Sequence, residues 1–283
     1  MIVYFNGEFL PEEEVRISPN DRGFMFADGV YEVVRSYEGH LFRLDEHLVR
    51  LKRSLEALRI ESPELASISL ICRELVDRNR MARLEALIYL QITRGAYRRV
   101  HSFPPPDVRP TVYAQVSELH PAEEEATVGI EVILVGDTRW SRCDIKSLAL
   151  LPNVLAAEEA RERGAREALF VRDGMVIEGS RSNFAGVRSG TLVTPPETNY
   201  MLSGISRGVV IELCGGLGIP VEQRPIPQRE LLRFDELLLI GTSAEVLPII
   251  SVEGREVGNG QVGPTAKLLK RAFREAVEEA RRR

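Results

Sequence analysis

The chain has 283 residues, 44% hydrophobic and 28% charged, the balance of a soluble globular protein with room for one large or two ordinary domains. Its net charge of −5 leaves no surplus of cations for phosphates, which argues against a nucleic-acid partner. No run of about 18 apolar residues exists to cross a membrane, and the N-terminal MIVYFNGEF lacks the basic-then-apolar pattern of a signal peptide. The cysteines Cys72, Cys143 and Cys214 are odd in number and far apart, which fits reduced thiols in a cytoplasm better than a disulfide frame or a metal site.

IVYFNGEFLP opens the chain as a hairpin turning at Asn6-Gly7. The loop ISPNDRGFMFADG follows, then two strands in GVYEVVRSYEGHLFRL. LDEHLVRLKRSLEALRI has the 3.6-residue period of a helix, and a second helix is expected within PELASISLICRELVDRNRM. EALIYLQITRG and PTVYAQVSEL read as strands flanking the loop AYRRVHSFPPPDVR. Beyond the polar, proline-bearing ELHPAEEEA, strands and helices alternate. VGIEVILVGDTRW and RCDIKSLALL read as strands, and NVLAAEEARERG as a helix stopped by Gly164. EALFVRDGMVIEG is a hairpin over Asp173-Gly174, and SNFAGVRSGTLVTP a second one. SGISRGVVIELCGGLG is a helix, PVEQRPIP a strand, ELLRFDEL a short helix and LLLIGTSAEVLPIISV a strand pair. A helix from about Pro264 closes the chain. The pattern predicts a mixed α/β protein: a small N-terminal domain over 1–117, a linker over 118–126 and a larger C-terminal domain over 127–283.

Only four residues are lysine (Lys52, Lys146, Lys267 and Lys270) against 33 arginines. Three of the four lie in amphipathic helical stretches; Lys146 lies in the apolar run RWSRCDIKSLALLP. Arginine neither loses its proton near neutral pH nor forms an imine with an aldehyde, so a lone lysine in such a setting is a Schiff-base candidate. A lysine snorkelling to solvent explains it as well. Glu178 ends the apolar strand MVIE, where a carboxylate needs a cation or water. Ser203-Gly204-Ile205-Ser206 precedes an apolar helix and suits a phosphate or an ordinary N-cap. Gly241-Thr242-Ser243 is a second hydroxyl-rich turn. Taken alone, Arg50 reads as a surface arginine on its helix. Arg98, Arg99 and His101 crowd one loop that is fit to trap a carboxylate or simply to be solvated. His101 has no spacing for a metal site, and no G-x-S-x-G supports serine hydrolysis.

Together these segments resemble the fold-type-IV pyridoxal-phosphate enzymes, among them D-amino acid aminotransferases, branched-chain aminotransferases and aminodeoxychorismate lyases. The resemblance rests on DRGFMFADGVYEVV (21–34), HLVRL (47–51), ITRGAYRRVHSFP (92–104), RWSRCDIKSLALLPNVLAA (139–157), EGSRSNFAG (178–186), GISR (204–207) and TSAE (242–245), in order along nearly the whole chain. RCDIKSL and the R-x-H of the 92–104 loop look most like D-amino acid aminotransferase. The resemblance implies pyridoxal 5′-phosphate in an interdomain cleft, with Lys146 as its Schiff-base lysine and Glu178 on its ring nitrogen. Arg50, Leu202, Ile205, Ser206 and Thr242 are implied as further cofactor-binding residues. Tyr31, Arg99 and His101 are implied as the substrate-carboxylate trap, on a loop that reaches the partner subunit of a homodimer. The implied reaction is transamination of D-amino acids such as D-alanine with a 2-oxo acid. Branched-chain L-amino acids, (R)-amines, an aminodeoxychorismate lyase and a non-catalytic binding protein are the alternatives. Arg98 beside Arg99, and Arg181 after Glu178, depart from the pattern.

Overall fold

Period-two alternation in VYEVVRSY and EALIYLQIT gives each strand one face to bury. The computed structural model describes residues 1–121 and 123–282; Ala122, within the predicted linker, and Arg283 lie outside the described residues. The chain resolves into two units, Met1–His120 with Ile145–Ala149, and Pro121–Asp144 with Leu150–Arg283. The division does not follow chain order, because the five residues around Lys146 pack with the first unit.

In the first unit, β1 (Ile2–Phe5) and β2 (Glu8–Pro11) form the expected hairpin. Its turn residues Asn6 and Gly7 have φ of 48° and 106°, which suits Asn-Gly. The loop ISPNDRGFMFADG contains a short helix, α1 (Arg22–Phe26), capped by Asp21, whose Oδ1 accepts the Gly23 N–H at 2.8 Å. After it come β3 (Gly29–Tyr37), β4 (His40–Leu41), α2 (Leu44–Leu58), α3 (Leu65–Arg78), β5 (Glu85–Thr93) and β6 (Thr111–Glu118). The strands form one sheet in the order β2-β1-β6-β5-β3-β4. Val30 and Val34 of β3 pack with Leu51 and Leu55 of α2 and Leu75 of α3. Each such fully buried leucine contributes about 1.5–3 kcal/mol. The same parity puts Glu32 on that buried face and Tyr31 on the other.

The segment of Lys146 is not the predicted strand. It is irregular, with one antiparallel bridge, Val30↔Ser147. Tyr31 N–H donates to the Lys146 carbonyl at 3.0 Å, and Leu148 N–H to the Gly29 carbonyl at 3.0 Å. Two of its backbone hydrogen bonds thus go to β3, which accounts for its place in the first unit.

The second unit begins with α4 (Glu123–Val128), so part of the predicted linker is helical, and continues with β7 (Ile130–Gly136), α5 (Leu151–Glu162), β8 (Glu167–Arg172), β9 (Met175–Gly179), β10 (Asn183–Arg188) and β11 (Thr191–Thr194). Then come α6 (Ile205–Leu217), β12 (Val221–Gln223), β13 (Ile226–Pro227), β14 (Glu236–Gly241), β15 (Glu245–Val252), β16 (Arg255–Glu256) and α7 (Pro264–Arg282). The strand order is β12-β11-β10-β14-β15-β7-β8-β9-β13, with β16 on β15. PVEQRPIP divides into β12 and β13 because Pro225 has no N–H to continue a ladder. ELLRFDEL is a 3-10 turn over Gln228–Arg233, and its Glu236-Leu237 already belongs to β14. Leu237 and Leu239 there are fully buried beside Phe184 and Leu247. Among the described residues no helix is long and apolar enough to cross a membrane.

Candidate active site

Lys146 is half-buried, and its ammonium lies 4.3 Å from the centroid of the Tyr31 ring. Its backbone N–H donates to Ser54 Oγ of α2 at 3.3 Å. The segment is therefore tied to both the strand and the helix that frame it. The other lysines lie on helices: Lys52 faces Glu56 across a helical turn, Lys267 is exposed and Lys270 reaches Glu123 at 3.0 Å.

Next to this segment, on the buried face of β3, Glu32 meets two side chains of α2. Arg50 holds it through both oxygens, Nε to Oε1 at 2.7 Å and Nη2 to Oε2 at 2.8 Å. His47 Nδ1 lies 2.8 Å from Oε2. Burial alone raises the Glu32 carboxyl's pKa, but the charge and hydrogen bonds of Arg50, with His47, outweigh it and hold the group far below the carboxylate range. Burial lowers the His47 pKa against the pull of Glu32, and the charges of Arg50 and Lys146 push it the same way. Because the Glu32 carboxylate can only accept, His47 Nδ1 carries the hydrogen between them. Arg50 is 6% exposed, not the surface arginine that its helix alone implied. Glu32 and His47 went unrecognised in the sequence; the signal was a carboxylate in register with Val30 and Val34 on an apolar strand.

The loop after β5 carries Arg98, Arg99 and His101, all exposed in the single chain. Arg99 lies 5.3 Å from the Phe26 ring centroid, and the His101 ring is 5.6 Å from the same ring. Arg98 instead stacks at 5.6 Å on Tyr97. Two of the three groups thus share one platform on α1.

In the second unit Glu178 is 6% exposed at the end of β9. Arg139 Nη1 donates to its Oε1, and Asn183 Nδ2 to its Oε2 at 3.2 Å. The Leu202 N–H lies 3.4 and 3.3 Å from the two oxygens. Arg139 is itself fixed by Asp137, through Nε at 2.9 Å and Nη2 at 3.0 Å, and by the Phe170 ring at 4.2 Å. Arg172 adds a bond to Asp137 at 3.1 Å. Glu178 is therefore a buried carboxylate with a fixed cation, not a strand end facing water. Asn183 also donates to the Leu202 carbonyl at 2.9 Å, which draws the approach to α6 against β10. Gly204, Ile205 and Ser206 begin α6 without any side-chain cap on its first amides. A Cβ on Gly204 would run into Asn183 Oδ1, so only glycine fits there. Thr242 and Ser243 form the turn between β14 and β15, whose Gly241 lies beside Ser182. Arg181 points outward: it is exposed, and its Nη2 donates to the Arg166 carbonyl at 3.2 Å. Among the described residues, Ser180 Oγ is the buried side-chain polar atom left without a hydrogen-bond partner.

The pattern that describes amino-transferase class IV matches residues 29–252. D-alanine aminotransferase of Bacillus licheniformis is 39% identical over 98% of this chain and 97% of its own length. That of Staphylococcus haemolyticus is 38% identical over 98% of each. The chain belongs to the class IV aminotransferases. Among solved structures, the branched-chain amino acid aminotransferase of Escherichia coli matches with a TM-score of 0.89 at 28% identity, over 96% of this chain and 93% of that one. The branched-chain amino acid aminotransferase of T.th., with pyridoxamine 5′-phosphate, matches at 0.88 and 29%, over 98% and 93%. This aminotransferase is a pyridoxal-phosphate enzyme, like its class.

The aminotransferase's Glu32 pair contributes stability that is complete above the ordinary carboxyl value of 4.5 and is lost as pH falls toward the depressed folded-state value. In the cofactor-free protein Glu32→Gln leaves Arg50 buried without its counter-charge, an expected cost of about 3–5 kcal/mol at pH 7. Denaturant melts at pH 7 and pH 4 check this. The variant loses less stability between the two than the wild type does, and an equal loss in both would count against the assignment.

Proposed function

We propose that this aminotransferase exchanges amino groups between D-amino acids such as D-alanine and 2-oxo acids such as 2-oxoglutarate, in a ping-pong cycle. The observation that carries the reading is the 38–39% identity, over essentially whole chains, to D-alanine aminotransferases. The bound cofactor supplies an aldehyde that takes up the amino group and a ring that spreads negative charge from the substrate's α-carbon. Lys146 would anchor that aldehyde, and its Nζ would take and return the proton of the substrate α-carbon. Glu178, which accepts from Arg139, would face the ring nitrogen and favour its protonated form. Arg50, the first amides of α6 at Ile205 and Ser206, and Thr242 would hold the phosphate. Leu202, whose backbone N–H faces the Glu178 oxygens, would add a contact beside that carboxylate. The orphaned Ser180 hydroxyl, two residues from Glu178, supports a polar ligand that completes the site.

Tyr31, Arg99 and His101 receive the substrate carboxylate, with the loop of Arg99 and His101 delivered to the partner of a homodimer. That loop's exposure in the single chain supports this, as do the exposed Phe24, Val49, Trp140, Leu151, Val154 and Leu155. A cytoplasmic location belongs to the same reading, supported by three buried, free cysteines.

Purified enzyme is expected to turn over D-alanine with 2-oxoglutarate; preference for L-leucine would shift the assignment to the branched-chain reaction for which the solved neighbours are named. The as-isolated protein shows a visible absorption band that Lys146→Ala abolishes, and a band retained in that variant removes the lysine from its role. Arg99→Ala lowers kcat/KM for D-alanine roughly 10- to 100-fold, and much less for an amine donor that has no carboxylate. Sedimentation is expected to give twice the chain mass; a stable active monomer would refute delivery of the loop to a partner.

A further inference from the structure

Arg99 and His101 sit on an exposed loop, yet a carboxylate trap needs its groups at a fixed spacing. Arg22 supplies the fixing. It is almost wholly buried, its Nη1 donates to the Val100 carbonyl at 2.7 Å, and the Ser102 carbonyl lies 3.3 Å from the same nitrogen. Those two carbonyls flank His101. Its Nε donates to Asp28 Oδ2 at 2.8 Å, and its guanidinium lies 5.0 Å from the Phe26 ring that Arg99 and His101 share. Asp28 is oriented by Arg94, whose Nε and Nη2 donate to its two oxygens at 2.8 and 2.9 Å. Arg94 also pins the far end of the loop, stacking 3.8 Å from the Phe103 ring centroid and donating to the Arg59 and Leu58 carbonyls at 2.8 and 2.7 Å.

A buried arginine bonded to two loop carbonyls, a carboxylate and an aromatic ring is a clamp. We propose that Arg22, oriented through Asp28 and Arg94, is the positioning residue that sets the spacing of Arg99 and His101 and thereby the enzyme's affinity for carboxylate-bearing substrates. This rests on the reading of Arg99 and His101 as the trap. The clamp needs a planar fork; a lysine ammonium on a flexible stem cannot span Asp28 and the loop carbonyls in one plane.

Arg22→Lys in the cofactor-loaded enzyme is the test, with Asp28→Asn as a second variant should the first fail to fold. Arg22→Lys is expected to raise the KM for D-alanine and for 2-oxoglutarate about tenfold. Its kcat stays within about threefold of wild type, and the absorption band of the bound cofactor is unchanged. Asp28→Asn moves KM in the same direction by less. An unchanged KM in whichever variant folds overturns the proposal, as does a fall in kcat and Tm with KM unmoved, which marks a purely structural arginine. Arg99→Ala run in parallel separates the two claims. If it leaves the D-alanine KM unchanged, the trap reading fails and the clamp with it. If it raises KM while Arg22→Lys does not, only the clamp fails.

Discussion

A carboxylate on the inner face of an apolar strand has to be matched, and Glu32 is matched by a helix that sits over it. Arg50 and His47 are three residues apart on α2, one helical turn, so both reach the same carboxylate from the same face. The match fixes the helix against β3. It also fixes what lies beside them, because β3 carries Tyr31 and bonds the backbone of the Lys146 segment, while Ser54 of the same helix accepts the Lys146 N–H. The amine is irregular in backbone yet held by regular elements on two sides.

The same device recurs in the interior. Asp28 binds Arg22 and Arg94, Asp137 binds Arg139 and Arg172, and Glu245, 1% exposed, binds Arg274 at 2.6 Å. At Asp28 and Asp137, burial raises the carboxyl pKa and the paired arginines more than reverse it. Arginine suits these places because its fork donates in two directions at once and keeps its charge when buried. A chain that builds its interior this way has structural work for arginine beyond surface charge.

Much of this was legible in the sequence because local rules and tertiary structure agree there. The hairpins at Asn6-Gly7 and Asp173-Gly174, the long helices and the buried strand pair around Gly241 follow from turn chemistry and period. Local pattern and structure part where long-range partners decide. RCDIKSLALL is apolar enough for a strand, but its neighbour is the end of β3, and one bridge is all that forms. ELLRFDEL has helical composition, but Leu237 is claimed by the core strand β14. Arg50 resembled the solvated arginines around it, because nothing local reveals a carboxylate 18 residues away on a buried face. Ordered motifs identified the family; burial of individual charges came only from three-dimensional pairing.

The allocation of Ile145–Ala149 to the first unit bears on how the enzyme is made. The chain leaves its second unit after Asp144, spends five residues in the first and returns at Leu150. A ribosome that has released only residues 1–120 has made a first unit still lacking Lys146 and its neighbours. The scaffold waits for a further stretch of translation before that side chain arrives beside Tyr31. A protease cut near the junction at His120 would likewise separate not two finished halves but a frame from its own key, since the lysine would leave attached to the other fragment.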